Sequence, residues 1–317
     1  MNCDLARRRA GVLFAACALL CSMRTGAQQA DPPSAESAPL VQAHFHHIGI
    51  NTTDSYAAIA FYAAKFRARK EKFAGVEDAI WTGSSWLFFH EVDKAPGSEP
   101  ISGIWHIGWG ATDVSATYRQ ELASGTKFTA ALHDISALAG AEPDSGTVIS
   151  AFIDGPDHAM IEISTSANNE FDHVHLLSAD PVKAGAWYAR CFGFKVRSQQ
   201  EQRTDHDMHV APAAFVTADH VNITISPQQY IKDRQPDLWS GRAEFAPSAG
   251  RVIDHLGFSV PNVDEAIKSL QADGVRVLSA PRNLKRGVVR FALIEGPDHV
   301  SIEVIEDHSP APSALSE

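Results

Sequence analysis

The chain has 317 residues and carries 27 Lys and Arg against 38 Asp and Glu, a net charge of −11. That acidic balance excludes nucleic acid and anionic membrane surfaces as electrostatic partners. Three of the four cysteines (Cys3, Cys17, Cys21) lie at the N-terminus, so with Cys191 alone beyond them the body of the chain can form no internal disulfide.

In chain order, Arg7, Arg8 and Arg9 precede an apolar run from Gly11 to Cys21, and Thr25-Gly26-Ala27 then places small residues at a cleavage position. This is the layout of a secretory signal over residues 1–27, and the run is too short to span a bilayer. It predicts a periplasmic or secreted mature chain with no stable membrane insertion. Removing those residues leaves 23 Lys and Arg against 37 Asp and Glu, a net charge of −14. Residues 28–42, rich in Ala, Pro, Ser and Glu, read as a disordered spacer, and residues 307–317 as a flexible tail.

Between them lies an internal repeat. The segment Ile153–Ile163 recurs 141 residues later as Ile294–Val304, each copy a Gly-Pro-Asp-His turn followed by an alternating strand that carries Glu162 or Glu303. A second pattern occurs four times: His47, His106, His173 and His255 each lie in a short apolar strand, followed seven residues later by Asp54, Asp113, Asp180 and Asn262. Asp or Asn there can cap a helix by accepting its first free N–H groups. Pro181 fits a first helical position, and Gly274 the end of the last helix. Gly-bounded β-rich runs follow each helix. The chain therefore reads as α+β, four βαβββ modules over 43–95, 101–166, 170–228 and 249–306. One module cannot cover its own apolar sheet face, so the expected domains pair consecutive modules, 43–168 and 169–306. Phe128–Ser145 and Gln228–Gly250 read as loops of a length that often covers a site.

Strict alternation along a strand sets His173 and His175 on one face, sets His46 opposite His47, and turns Trp105 into the core opposite His106. Trp109 is compatible with either face. Cys191, in an apolar helix end, reads as a small core residue. His158 and His299 read as turn residues, with Asp157 and Asp298 accepting bonds from backbone N–H groups.

Four βαβββ modules with His on first strands and Glu on last strands resemble the vicinal oxygen chelate superfamily, which includes glyoxalase I, extradiol dioxygenases and bleomycin-resistance proteins. The resemblance spans about residues 43–306 and is carried by His255–Asn262 and Gly296–Glu303. It implies paired modules forming cup-shaped sheets, each holding one divalent metal (Fe, Mn, Zn or Ni). Under consecutive pairing the ligand sets are His47, His106 and Glu162 in the first domain, and His173, His255 and Glu303 in the second. His90 is the candidate for a fourth ligand in the first half, and His175 for a neighbouring or substrate-binding group. Two imidazoles and one carboxylate leave positions open for a chelating substrate. The implied function is a metal-dependent enzyme of lyase, isomerase or dioxygenase type acting on a small oxygen-bearing molecule, with a homodimer an open alternative to a monomer. Leu293 and Phe291 stand where ring-cleaving members carry a Tyr, which departs from that branch. The alternative function is binding and sequestration of a small molecule without turnover.

Overall fold

The computed structural model of the chain describes residues 38–75, 77–136, 144–205, 208–284, 289–308 and 312. The signal segment, most of the spacer and most of the tail lie outside the described residues. Module one comprises β1 (His44–Thr52), α1 (Ser55–Lys65), β2 (Arg69–Phe73), β3 (Glu77–Trp81) and β4 (Trp86–Glu91). Module two comprises β5 (Ile104–Ala111), α2 (Val114–Ala123), β6 (Phe128–Asp134), β7 (Ile149–Asp154) and β8 (Met160–Thr165). Module three comprises β9 (Phe171–Ser178), α3 (Pro181–Phe192), β10 (Lys195–Gln200), a small hairpin of β11 (Arg203–Asp205) and β12 (Met208–Val210), β13 (Ala213–Ala218) and β14 (Val221–Pro227). Two short helices, α4 (Gln229–Lys232) and α5 (Pro236–Trp239), lead to module four: β15 (Ile253–Ser259), α6 (Val263–Ala272), β16 (Val277–Leu284), β17 (Val289–Glu295) and β18 (Ser301–Asp307).

The four helices α1, α2, α3 and α6 start as the repeat requires. The carboxylates of Asp54, Asp113 and Asp180 and the amide oxygen of Asn262 each accept a bond from the backbone N–H three residues on. Pro181 occupies the first turn of α3, and Gly274 follows α6 with a left-handed φ of 88°.

The modules join in an order that corrects the expected pairing. One eight-stranded sheet runs β16-β17-β18-β15-β1-β4-β3-β2 and so unites modules one and four; the other runs β10-β13-β14-β9-β5-β8-β7-β6 and unites modules two and three. The joins are antiparallel, β1 to β15 and β5 to β9. Connection length accounts for this. Only residues 166–170 separate β8 from β9, and they carry the chain across one strand, β5, within the same sheet. The links 92–103 and 228–252 are long enough to cross between sheets, and they run side by side there through bridges Gly97–Arg251 and Ser102–Ala246. The boundary expected at residue 168 therefore falls inside a sheet.

Consecutive modules do meet, through packing. Phe66, just beyond α1, stacks on Trp109 of β5 at 4.2 Å, and Phe192 of α3 packs edge-on against Phe258 of β15 at 4.9 Å. These rings belong to one continuous apolar cluster that joins both sheets. Trp109 and Cys191 are fully buried in it. Burial pushes the Cys191 thiol up to about 11, so it stays protonated at neutral pH.

Three further expectations change. The spacer ends before residue 40, because Leu40, Val41 and Ala43 donate backbone bonds to Arg190, Cys191 and Phe192 and Val41 is buried. Phe128–Asp134 is an edge strand rather than a loop. Within 228–250, Ile231, Trp239 and Phe245 form a buried cluster with Leu177, against which Trp105 and Tyr230 pack.

Candidate metal centres

The structure gathers the six expected side chains into two sets, grouped differently from the sequence expectation. His47, His255 and Glu303 form the first, in the sheet of modules one and four; His106, His173 and Glu162 form the second, in the sheet of modules two and three. Their ligand atoms lie within 4.8 Å of one another in each set. In the first, the Nε2 atoms of His47 and His255 are 3.1 Å apart, and Glu303 oxygens lie 3.8 and 4.0 Å from them. In the second, Glu162 Oε2 is 2.9 Å from His106 Nε2 and 3.0 Å from His173 Nε2. Donors sharing one ion at bonds of about 2.1 Å sit roughly 3.0–3.4 Å apart, so both sets fit a transition metal with little adjustment.

Glycine makes the convergence possible. A Cβ on Gly49 would lie 2.1 Å from Cε1 of His255, one on Gly257 2.0 Å from Cε1 of His47, and one on Gly108 1.9 Å from Cε1 of His173. Each ring therefore lies over a bare backbone on the facing strand. The same register locates the last-strand positions. Gly108 pairs with Glu162 and Gly257 with Glu303, whereas Gly49 pairs with Phe88 and His175 with Thr224. The fourth-ligand position thus holds Phe88 in one centre and Thr224 in the other. His90 is two residues beyond Phe88, exposed, with its ring 5.7 Å from that of His255, and it belongs to neither set.

A β-bulge precedes each metal-facing histidine. The register slips at His46, Trp105, Asp172 and Asp254, the residue just before each His. The extra residue breaks alternation and turns its side chain to the face that carries the histidine. This overturns two expectations. His46 does not face away from His47: their Nδ1 atoms share a hydrogen bond at 2.8 Å. Trp105 is not core opposite His106, since its ring lies 4.5 Å from that of His106 and 4.8 Å from that of His175.

The bulge also supplies partners that alternation hid. Asp172 sits 2.6 Å from His173 Nδ1, and Asp254 2.7 Å from His255 Nδ1. A carboxylate there fixes the tautomer that presents Nε2 to an ion. The Asp-His dipeptide repeated at 172–173 and 254–255 was the available signal. His106 follows Trp105 instead, and its buried Nδ1 has no protein partner.

The electrostatics differ between the centres. Burial pushes the Glu162 carboxyl up, but hydrogen bonds from His106 and His173 outweigh it and hold the group well below the carboxylate range. Burial lowers His173, yet Asp172 and then Glu162 raise it to about 10. His106 and His175 are lowered, mainly by burial. In the first centre, burial and three neighbouring histidines push His47 well down; burial leaves Glu303 raised despite His255. A carboxylate buried without full compensation is what a cation would relieve.

The Gly-Pro-Asp-His turns hold the modules together. Asp157, in the left-handed region at φ 50°, accepts bonds from Thr52 Oγ1, Thr53 N and Thr53 Oγ1 at 2.6, 3.0 and 2.7 Å. Asp298 accepts from Ala179 N. His158 and His299 bond Asp154 and Glu295 within the turns and face neither centre.

Each of the two sheets carries a pair of imidazoles and a carboxylate contributed by two βαβββ modules, and the fold thus presents two candidate metal centres. Residues 170–304 match the model of the Glyoxalase/Bleomycin resistance protein/Dioxygenase superfamily. The matched segment takes one module from each cup. Among solved structures, maize (Zea mays) glyoxalase I superimposes with a TM-score of 0.60 at 16% identity, covering 84% of this chain and 92% of the maize chain. A single-substitution variant of the maize enzyme gives 0.61 at 17%, with the same coverage. A Bacillus subtilis protein provisionally named a dioxygenase gives 0.54 at 12%, covering 85% and 87%. At these identities the likeness is one of fold. No curated protein matches the sequence.

Proposed function

We propose that the protein is an exported, divalent-metal-dependent enzyme acting on a small oxygen-bearing molecule. The observation that carries this reading is the convergence of two His₂Glu sets at equivalent places in the repeat, three of the four rings resting on a glycine that leaves them room. His47, His255 and Glu303 would hold one ion, and His106, His173 and Glu162 the other. When bound, such an ion supplies Lewis-acid polarisation of substrate oxygens at positions the protein leaves open.

The chain's own residues prepare those positions. The imidazoles, which must be deprotonated at Nε2 to bind, would supply the nitrogen donors, and the single carboxylate would trim the charge of each centre. Asp172, Asp254 and His46 orient the rings from behind, which lowers the reorganisation needed on binding. The positions equivalent to a fourth ligand hold Phe88 and Thr224, so each set stops at three protein donors. Export is supported by Arg7–Arg9 and the apolar run Gly11–Cys21. Among the described residues no helix is long and apolar enough to cross a membrane.

Elemental analysis of the protein purified from the cell envelope tests this reading, together with intact mass. Up to two transition-metal equivalents per chain and a mass lacking residues 1–27 are expected. A metal-free protein that takes up no added Mn(II), Fe(II), Zn(II) or Ni(II) would overturn the enzyme reading in favour of binding without turnover.

A further inference from the structure

The two cups share a ligand plan and differ in what surrounds it. Three of the four first strands read His-x-Gly: His47-Ile-Gly49, His106-Ile-Gly108 and His255-Leu-Gly257. The third module reads His173-Val174-His175, so a histidine occupies the place where the others have a bare backbone. His175 pairs directly across from His106, and their rings are 4.8 Å apart. Its Nε2 is held by Ser226 Oγ at 2.7 Å, which leaves Nδ1 for another partner. His175 is not one of the converging donors, yet it stands on the same face as His173.

The walls differ too. In the first cup, Phe88 lies 4.4 Å from the His47 ring and belongs to a buried apolar layer with Phe73, Trp86, Phe291 and Ile305. His47 and His106 are both buried, so the cups differ in access at the other histidine of each pair, His255 being buried and His173 partly exposed. In the second, Thr224 takes the place of Phe88, and His173, His175 and Thr224 are all partly exposed. Trp105 and Phe152 pack on the His106 side of the second cup, at 4.5 and 5.0 Å from that ring, but on the side that Phe88 closes in the first cup the second has Thr224, Ser226 and the His175 imidazole. A polar, accessible surface beside open coordination positions suits an anion with two adjacent oxygens; an apolar packed one excludes it.

We infer that the second centre is the one that admits a chelating oxygen ligand, that His175 is the side chain that contacts this ligand, and that the first centre is closed. This inference rests on the metal reading above. It assigns the first cup a structural role, since a centre sealed by packed side chains can hold an ion and still exclude substrate.

Single-centre proteins test it: Glu303→Ala, retaining the second centre, and Glu162→Ala, retaining the first, each loaded with Mn(II). Water-proton relaxation reads solvent access to the bound ion, and oxalate serves as the bidentate oxygen probe. Glu303→Ala should show exchangeable water that oxalate displaces; Glu162→Ala should show neither. In the Glu303→Ala background, His175→Gly should weaken oxalate about tenfold, the worth of one hydrogen bond, with Mn(II) affinity unchanged, and His175→Gln should recover part of the loss. Equal relaxation and oxalate binding in both proteins would overturn the assignment of the cups while leaving the metal reading intact. Unchanged oxalate affinity in His175→Gly would overturn the role of that residue. Failure of both proteins to bind Mn(II) would instead overturn the metal reading itself.

Discussion

His47 and His255, 208 residues apart, face each other Nε2 to Nε2 at 3.1 Å across antiparallel strands β1 and β15. Metal loss should follow this geometry. His47→Ala and Glu303→Ala should remove the same ion, and His106→Ala and Glu162→Ala the other. Metal content should fall from two equivalents to one in each single variant and to none when both Glu are replaced. Loss of a common ion in His47→Ala and Glu162→Ala would show that consecutive modules pair after all.

Gly108→Ala should act as a ligand mutation although glycine coordinates nothing. Its new Cβ would lie 1.9 Å from a ring carbon of His173, against backbone that cannot withdraw, so the ring must leave its place. Overpacking of this kind costs about 1–3 kcal/mol, or roughly five- to 150-fold in affinity at the second centre alone. Competitive metal titration of wild type and variant checks it, with the first centre as internal control.

Asp172→Asn and Asp254→Asn should each lower metal affinity about 10–100-fold while leaving all six candidate ligands in place, because each replaces the charged acceptor that orients one imidazole with a weaker, neutral amide oxygen. Trp105→Phe should not have this effect on His106, whose Nδ1 makes no hydrogen bond to the protein. Equal sensitivity at all three sites would refute the orienting role.

Asp157→Asn tests the turn that ties module two to the end of β1. Asn tolerates the left-handed backbone but loses the charge from three accepted bonds, so a stability loss of about 1 kcal/mol is expected in denaturant titration. Burial opposes ionisation of Asp157, but bonds from Thr52 and Thr53 hold its pKa below the usual value. A folded-state pKa below the unfolded one means the contribution is present above the ordinary carboxylate range and is lost as pH falls through the lowered value. The difference between wild type and Asp157→Asn should therefore shrink on acidification and be constant from pH 5 to 7.

The fourfold His-to-cap spacing made the modules, the helix starts and the four candidate histidine ligands legible in the sequence, and the repeated Gly-Pro-Asp-His segment did the same for Glu162 and Glu303. The partnership among them was not, because the motif has the same form in the modules that pair and in those that do not. Only the links distinguished them, five residues between β8 and β9 against far longer ones elsewhere. The bulges were hidden for another reason. Period-two alternation assigns His46, Trp105, Asp172 and Asp254 to the wrong face, and one extra residue per strand reverses the assignment. The residues that orient the imidazoles were therefore read as outward-facing or not read at all.

The nesting of the sheets bears on how such a chain could arise and be rearranged. The second centre is encoded within residues 106–173, whereas the first draws on residues 47 and 303. The folded ends meet, with His46 Nε2 3.4 Å from Asp307 Oδ2. Joining these ends and reopening the chain in the 92–103 link would give two contiguous cups in tandem, modules two-three followed by four-one. The natural order is thus a circular permutation of a simple tandem duplication, and the permuted chain should fold with both centres intact.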